Sequence, residues 1–247
     1  MMIYPTIELQ NGRCVSLFRG RLDEPQIWHV DPVAKAREFA EAGAEWLQIT
    51  DFDAVEGHMD NADLVEEMMR AFGRSVQIAG GVRTRERAEA WLDRGAARVV
   101  IGSLAVRDPA LVKQIAKYHP DTVVLAVDVW QGRVMTEGWR SSSAFTPEEF
   151  MAEFEGTPLA AFLVTDIDND VAEADSSLAL VSRLAEMTRT PVIASGIVRS
   201  LDDIARLKYV GNVDGVIVGR ALFRRDFTLE EAMTTARREP EKTAEFI

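Results

Sequence analysis

Two carboxylates, Glu8 and Asp128, each close a short apolar run and open two copies of one motif. Glu8-Leu9-Gln10-Asn11-Gly12-Arg13 is answered by Asp128-Val129-Trp130-Gln131-Gly132-Arg133, an offset of 120 residues (128 minus 8). Opposed carboxylates can work as general acid and general base when their surroundings split their pKa values. Four more acids follow other runs. Asp51 and Asp166 read as loop-fixing acceptors of backbone N–H groups, while Asp168 and Asp170 stand where a second acid can reach a substrate. Glycines form the other chemical group: Gly80-Gly81 and Gly102-Ser103 in one half, Gly196 and Gly219-Arg220 in the other. Glycine lets backbone approach a ligand, and a helix start offers unpaired N–H groups with positive partial charge, so each set suits a phosphate. Gly80-Gly81 is read as opening a helix with Thr84 in its first turn. Two such sets point to a substrate with a phosphate at each end. Trp139 and Trp130 are candidates to stack on a planar ring, or else to pack, and Thr165 joins the residues expected at the substrate.

Other chemistries find no support. His29, His58 and His119 lie far apart in the chain without metal-ligand spacing, so no metal, cofactor or histidine triad is expected. Neither a G-x-S-x-G elbow nor a P-loop occurs. Cys14, the one cysteine, reads as a small buried hydrophobe in a reducing compartment.

The elements that must carry these residues repeat as well. Thr50-Asp51-Phe52-Asp53 is answered by Thr165-Asp166-Ile167-Asp168 (offset 115), Gly80-Gly81-Val82-Arg83-Thr84 by Gly196-Ile197-Val198-Arg199-Ser200 (116), and Ile101-Gly102-Ser103 by Val218-Gly219-Arg220 (117). Four ordered matches give four equivalent units per half. Apolar runs at Ile3–Ile7, Trp46–Thr50, Val76–Ala79, Val99–Ile101, Val123–Val127, Ala161–Thr165, Val192–Ala194 and Val216–Val218 suit parallel strands buried on both faces. Helical patterns lie between and after them, over Ala34–Ala42, Ala62–Phe72, Arg85–Arg94, Ala110–Tyr118, Pro147–Glu155, Ser177–Met187, Ser200–Lys208 and Leu229–Arg237. The alternation predicts one α/β domain over residues 1–247, a (β/α)8 TIM barrel made of two half-barrels. In such a barrel the residues just after each strand gather at one rim, where the active site lies.

Bulk properties narrow the partners. The 40 Asp and Glu against 28 Lys and Arg leave a formal charge of −12, which disfavours nucleic acid and anionic membranes yet leaves room for a small phosphorylated ligand. No signal peptide and no membrane-spanning segment is read. The expectation is a cytoplasmic protein, working as a monomer.

The motifs also carry a resemblance. Tyr4-Pro5-Thr6-Ile7-Glu8-Leu9, Asp51-Phe52-Asp53 with Gly57 and Asn61, Gln77-Ile78-Ala79-Gly80-Gly81-Val82-Arg83, Ile101-Gly102-Ser103, Val127-Asp128-Val129 with Gly132 and Gly138-Trp139, Thr165-Asp166-Ile167 and Val218-Gly219-Arg220-Ala221-Leu222 run end to end. Through them the chain resembles the histidine-biosynthesis ProFAR isomerases (phosphoribosylformimino-5-aminoimidazole carboxamide ribotide isomerases). That resemblance implies an Amadori rearrangement of the aminoaldose ProFAR to the aminoketose PRFAR, without cofactor, on a substrate with two phosphates. It assigns the base to Glu8, where the family has aspartate, and a catalytic acid to Asp170. Other departures are Asn169-Asp170-Val171-Ala172 in place of Arg-Asp-Gly-Thr, Ile197 in place of a glycine, expected to crowd a phosphate or remove a turn, and Ser16 in place of a common arginine. They imply a divergent member. Two alternatives are a barrel that binds a phosphorylated metabolite without turnover, and an isomerase of another phosphoribosyl-amine.

Overall fold

The computed structural model describes residues 1–18, 20–57, 61–168 and 174–237. Asp170 and Val171, like His58, lie outside the described residues. Eight strands hydrogen-bond in parallel and close on themselves: β1 (Met2–Gln10), β2 (Trp46–Asp51), β3 (Ser75–Ala79), β4 (Arg98–Ile101), β5 (Val123–Trp130), β6 (Ala161–Asp166), β7 (Val192–Ser195) and β8 (Val213–Val218). The ring runs β1 to β8 in chain order, and β8 returns to β1 with Tyr4 beside Ile217. The helices that follow the strands are α1 (Pro32–Glu41), α2 (Ala62–Phe72), α3 (Arg85–Asp93), α4 (Pro109–Tyr118), α5 (Pro147–Glu153), α6 (Ala174–Glu186), α7 (Leu201–Leu207) and α8 (Leu229–Ala236). The expected (β/α)8 barrel is the observed one.

Two apolar layers explain the near-continuous hydrophobic runs. One side-chain set of the strands, Ile7, Ile49, Ile78 and Leu125 among them, packs outward on helix residues such as Phe39, Met68, Trp91 and Phe150. The alternate set, including Tyr4, Val124, Leu163, Ile193 and Ile217, fills the barrel itself. Both faces are buried, so period-2 alternation is erased. Helix starts follow local chemistry. Asp31 and Asp108 cap α1 and α4 ahead of Pro32 and Pro109, and Thr146 with Glu149 and Thr228 with Glu231 form capping boxes on α5 and α8.

The repeated motif that begins at Glu8 and Asp128 does more than end two strands. In each half it folds a hairpin over the barrel mouth. β1 turns through Asn11-Gly12 (φ 51° and 68°) into Arg13–Ser16, and β5 turns through Gln131-Gly132 (φ 47° and 72°) into Arg133–Thr136. Two left-handed residues in a two-residue loop match the twist of the flanking strands. The carboxylate of Asp53 accepts from the Asn11 N–H at 2.7 Å, and Asp168 accepts from the Gln131 N–H. Asp168, expected as a second acid, is therefore a turn anchor. Three short helices, Phe52–Glu56, Ser103–Arg107 and Arg220–Arg224, follow strands β2, β4 and β8 and are too short for periodicity to reveal.

Candidate active site

Two cavities of about 240 and 140 Å³ adjoin at the carboxyl ends of the strands. They share Thr50, Phe52, Ala79, Val100, Ala126, Asp128 and Trp139. The larger is lined by Glu8, Thr165, Gly196, Gly219 and Arg220, the smaller by Gly80, Gly81, Gly102 and Ser103. The rim residues expected from the sequence thus meet in one elongated depression, with one glycine set at each end and Asp128 between them.

The glycines are demanded by shape. Gly80 has φ 110°, and a Cβ there would lie 2.2 Å from the Asp51 carbonyl oxygen. A Cβ on Gly81 (φ 66°) would lie 2.8 Å from Ala54 Cβ, and one on Gly219 would lie 2.7 Å from Thr6 Cγ2. Gly80-Gly81 does not itself open a helix: α3 begins at Arg85, capped by Thr84. Gly102 and Gly219 do precede helices, with matching backbone angles (φ −109°, ψ −95° and φ −119°, ψ −88°) that lie outside the main regions open to L side chains. Arg83 binds the carbonyls of Ala54 and Val55, tying the Gly80-Gly81 loop to the neighbouring one. Ile197 departs from the expectation attached to it. It is absent from both cavity linings, takes no positive φ, and is buried in the outer core at 4% exposure.

Glu8 sits where β1 leaves the barrel. Burial pushes its carboxyl up to about 7, while the Arg220 guanidinium and the Leu17 N–H, which donates to it, pull the other way. Arg220 also donates to the Leu17 carbonyl at 2.7 Å, so one loop residue bridges Glu8 and Arg220. Asp128 is likewise raised above its ordinary value by burial, against hydrogen bonds donated by the Trp139 indole and the Thr165 hydroxyl. The Trp139 ring meets Phe52 edge-on with centroids 6.3 Å apart. Beneath it lies Gly20 (φ 69°), where a Cβ would fall 2.1 Å from the ring. Glu137, Gly138 and Trp139 are all left-handed, at φ 55°, 65° and 67°. The Glu137 N–H donates to Ser103 Oγ at 2.8 Å, which pins that segment across the mouth.

Other candidates are structural. Asp51, 1% exposed, accepts from the Ala54 N–H and from both nitrogens of Asn61. Asp166 accepts from Ser177 Oγ at 3.0 Å while still lining the larger cavity. Trp130 lines an adjoining groove that shares Gly20 and Trp139 with the larger cavity but lines neither of the two cavities itself. Ser16 accepts from the Trp28 indole at 3.0 Å. Sequence reasoning passed over Thr6, Gln48, Thr50, Leu17 and Gly20, which line the larger cavity too. For Thr50 a signal existed, since the repeat pairs it with Thr165. For Leu17 and Gly20 there was none.

Residues 2–228 match the model of a family described as histidine biosynthesis protein. A protein of Ruegeria sp. (strain TM1040), named 1-(5-phosphoribosyl)-5-((5-phosphoribosylamino)methylideneamino) imidazole-4-carboxamide isomerase 1, is 60% identical over 247 residues, 100% of each chain. The isomerase 2 of that name from Ruegeria pomeroyi is 59% identical over 246 residues, again 100% of each. One from Jannaschia sp. (strain CCS1) is 40% identical over 234 residues, 94% of this chain and 98% of the relative.

Proposed function

The chain belongs to the histidine biosynthesis protein family, and on that premise we propose that it is a ProFAR isomerase. It converts the aminoaldose ProFAR to the aminoketose PRFAR. The observation that carries this reading is the single depression with two glycine-lined ends, with Asp128 where its two cavities adjoin and Glu8 in the larger one. A substrate with a phosphate at each end spans it, its phosphates beside Gly81, Gly102 and Ser103 at one end and Gly196, Gly219 and Arg220 at the other.

Between the ends the chemistry is proton transfer. Protonation of the ring oxygen of the reacting ribose breaks its C1–O bond and leaves a Schiff base at C1. Removal of the C2 proton gives an enolamine bearing a hydroxyl on C2. Return of a proton to C1 and loss of that hydroxyl proton give the C2 ketone, with no net change in atoms. Glu8, with its carboxyl near 7, is poised to take the C2 proton at neutral pH. Asp128, held by Trp139 and Thr165, faces the proton steps at the ring oxygen. Asp170 is the competing acid, and comparing Asp128→Asn with Asp170→Asn separates the two. Trp139 supplies an aromatic face at the centre.

Among the described residues no helix is long and apolar enough to cross a membrane. A cytoplasmic enzyme acting as a monomer fits a site completed within one chain, and sedimentation of the purified protein tests the oligomeric state. The decisive assay supplies ProFAR to the purified protein and asks whether the gene complements a strain lacking this isomerase. Turnover that collapses in Asp128→Asn is expected. Absence of both conversion and complementation overturns the reading.

A further inference from the structure

The barrel interior is polar in one half only. Thr6, Gln48 and Gln77 face inward on β1, β2 and β3, neighbours in register. The repeat places Ala126, Leu163 and Ile193 at their positions in the second half. Gln48 and Gln77 are 3% and 0% exposed. Barrel closure does not require amides there, since the second half closes over aliphatic side chains. Gln77 Oε1 even has no hydrogen-bond partner among the described residues, an arrangement that costs stability.

The amides form a directed chain. Gln77 Nε2 donates to Gln48 Oε1 at 2.6 Å, and Gln48 Nε2 donates to Thr50 Oγ1 at 3.1 Å. With its amide oxygen held by Gln77, Gln48 presents its nitrogen to Thr50. The Thr50 hydroxyl then accepts from below and turns its own proton away from Gln48, toward the depression whose two ends it lines. Its repeat mate is used differently. Thr165 pairs in register with Asp128 and gives its hydrogen bond to that carboxylate. Thr50 pairs in register with Glu8, but Glu8 takes its hydrogen bond from the Leu17 N–H instead.

We propose that Thr50 contacts the substrate, its hydroxyl donating a hydrogen bond to an oxygen of the reacting sugar held beside Glu8, and that Gln48 and Gln77 are positioning residues that aim it. The proposal rests on the isomerase reading of the cavity. Its acceptor is a neutral sugar oxygen, since the phosphate ends lie to either side.

Four proteins test it: native, Thr50→Val, Thr50→Ser, and the triple variant Thr50→Val with Gln48→Leu and Gln77→Leu. Thr50→Val is expected to lower kcat/KM for ProFAR about tenfold or more, the size of one well-aimed hydrogen bond, and Thr50→Ser to restore most of it. Thr50→Val also strands the Gln48 amide, so its Tm falls; the triple variant removes every member of the chain from Gln77 to Thr50 and regains Tm without regaining activity. That split between stability and turnover is the signature of substrate contact. Native turnover with no loss in Thr50→Val, or activity that returns with Tm in the triple variant, overturns the inference alone. A native protein without ProFAR turnover overturns the functional reading and this inference with it.

Discussion

Burial holds the Glu8 carboxyl near 7 against a reference of 4.5, so the folded chain keeps this proton where an unfolded chain has released it. The contribution to folding is therefore fully present below about pH 4.5 and is lost as pH rises through 7. Above that range the ionised side chain leaves the fold weaker by about 3 kcal/mol than it is in acid. Glu8→Gln, which cannot ionise, is expected to raise Tm by several degrees at pH 8 and to change it little at pH 4.5. The same variant loses turnover, and native kcat/KM falls below about pH 7 as the base takes up its proton. Thermal melts at the two pH values and a pH–rate profile check this together; equal Tm changes at both pH values sink the assignment. At this scale the sequence was a good guide to which carboxylates and glycines line the depression, because strand-end position and repeat equivalence both mark them. It was a poor guide to Gln48 and Gln77. Inside a strand buried on both faces, an inward residue and an outward one look alike in a linear chain.

The two hairpins are the elements that convert a generic barrel mouth into an enclosed site. The first brings Leu17 to Glu8 and leads to Gly20, and the second leads to Trp139 over Asp128. They meet where the Trp139 ring lies against Gly20. Gly20→Ala puts a methyl group 2.1 Å from a ring carbon and strains a residue at φ 69°. The ring must move, and Asp128 loses the alignment of one donor. Displacements of about 1 Å near reacting groups cost roughly 100-fold in rate, so kcat/KM is expected to drop on that order while the barrel stays folded. A shift in indole fluorescence, absent when Trp139→Phe is the background, ties the loss to this contact. Unchanged turnover and fluorescence would show that the hairpins do not touch in solution. All eight strands and the eight helices that follow them were legible, because each is long enough to show a buried run or a helical period. The hairpins were missed although Asn11-Gly12 is a strong turn signal. Their motif was read for the carboxylate that opens it, and the Gln131-Gly132 copy is a weaker cue. The loop around Ile197 was misjudged for a related reason. The resemblance set a glycine there and made Ile197 a loss at the phosphate or the turn, whereas the second half turns on one left-handed residue, Gly196, and sends Ile197 into the core.

At the scale of the whole molecule, duplication makes a claim about how a ligand is held. If each half-barrel grips one phosphate, damage at the two ends should act independently. Gly81 on the β3 side and Gly219 on the β8 side are three strand spacings apart, with β2 and β1 between them, roughly 14 Å along the ring at ~4.8 Å per spacing. Sites that far apart and sharing no partner contribute additively to free energy. Gly81→Ala must displace Ala54, and Gly219→Ala must displace Thr6, so each is expected to weaken binding of PRFAR about tenfold, or about 1.4 kcal/mol. The double variant should then bind about a hundredfold more weakly than native, as titration calorimetry would show on proteins whose circular dichroism is unchanged. A ligand seated in one half alone gives a different pattern: one substitution carries the whole loss, and the second adds nothing. Because the two ends adjoin through Asp128, Thr50 and Trp139, additivity would also mean that the centre stays rigid when either end is disturbed. The broken symmetry is concentrated there, with Thr165 bound to Asp128 and Thr50 held by Gln48. Two like halves suffice to grip a ligand with like ends, but on the isomerase reading only one of its two sugars reacts, so the residues around that sugar are the ones that must differ.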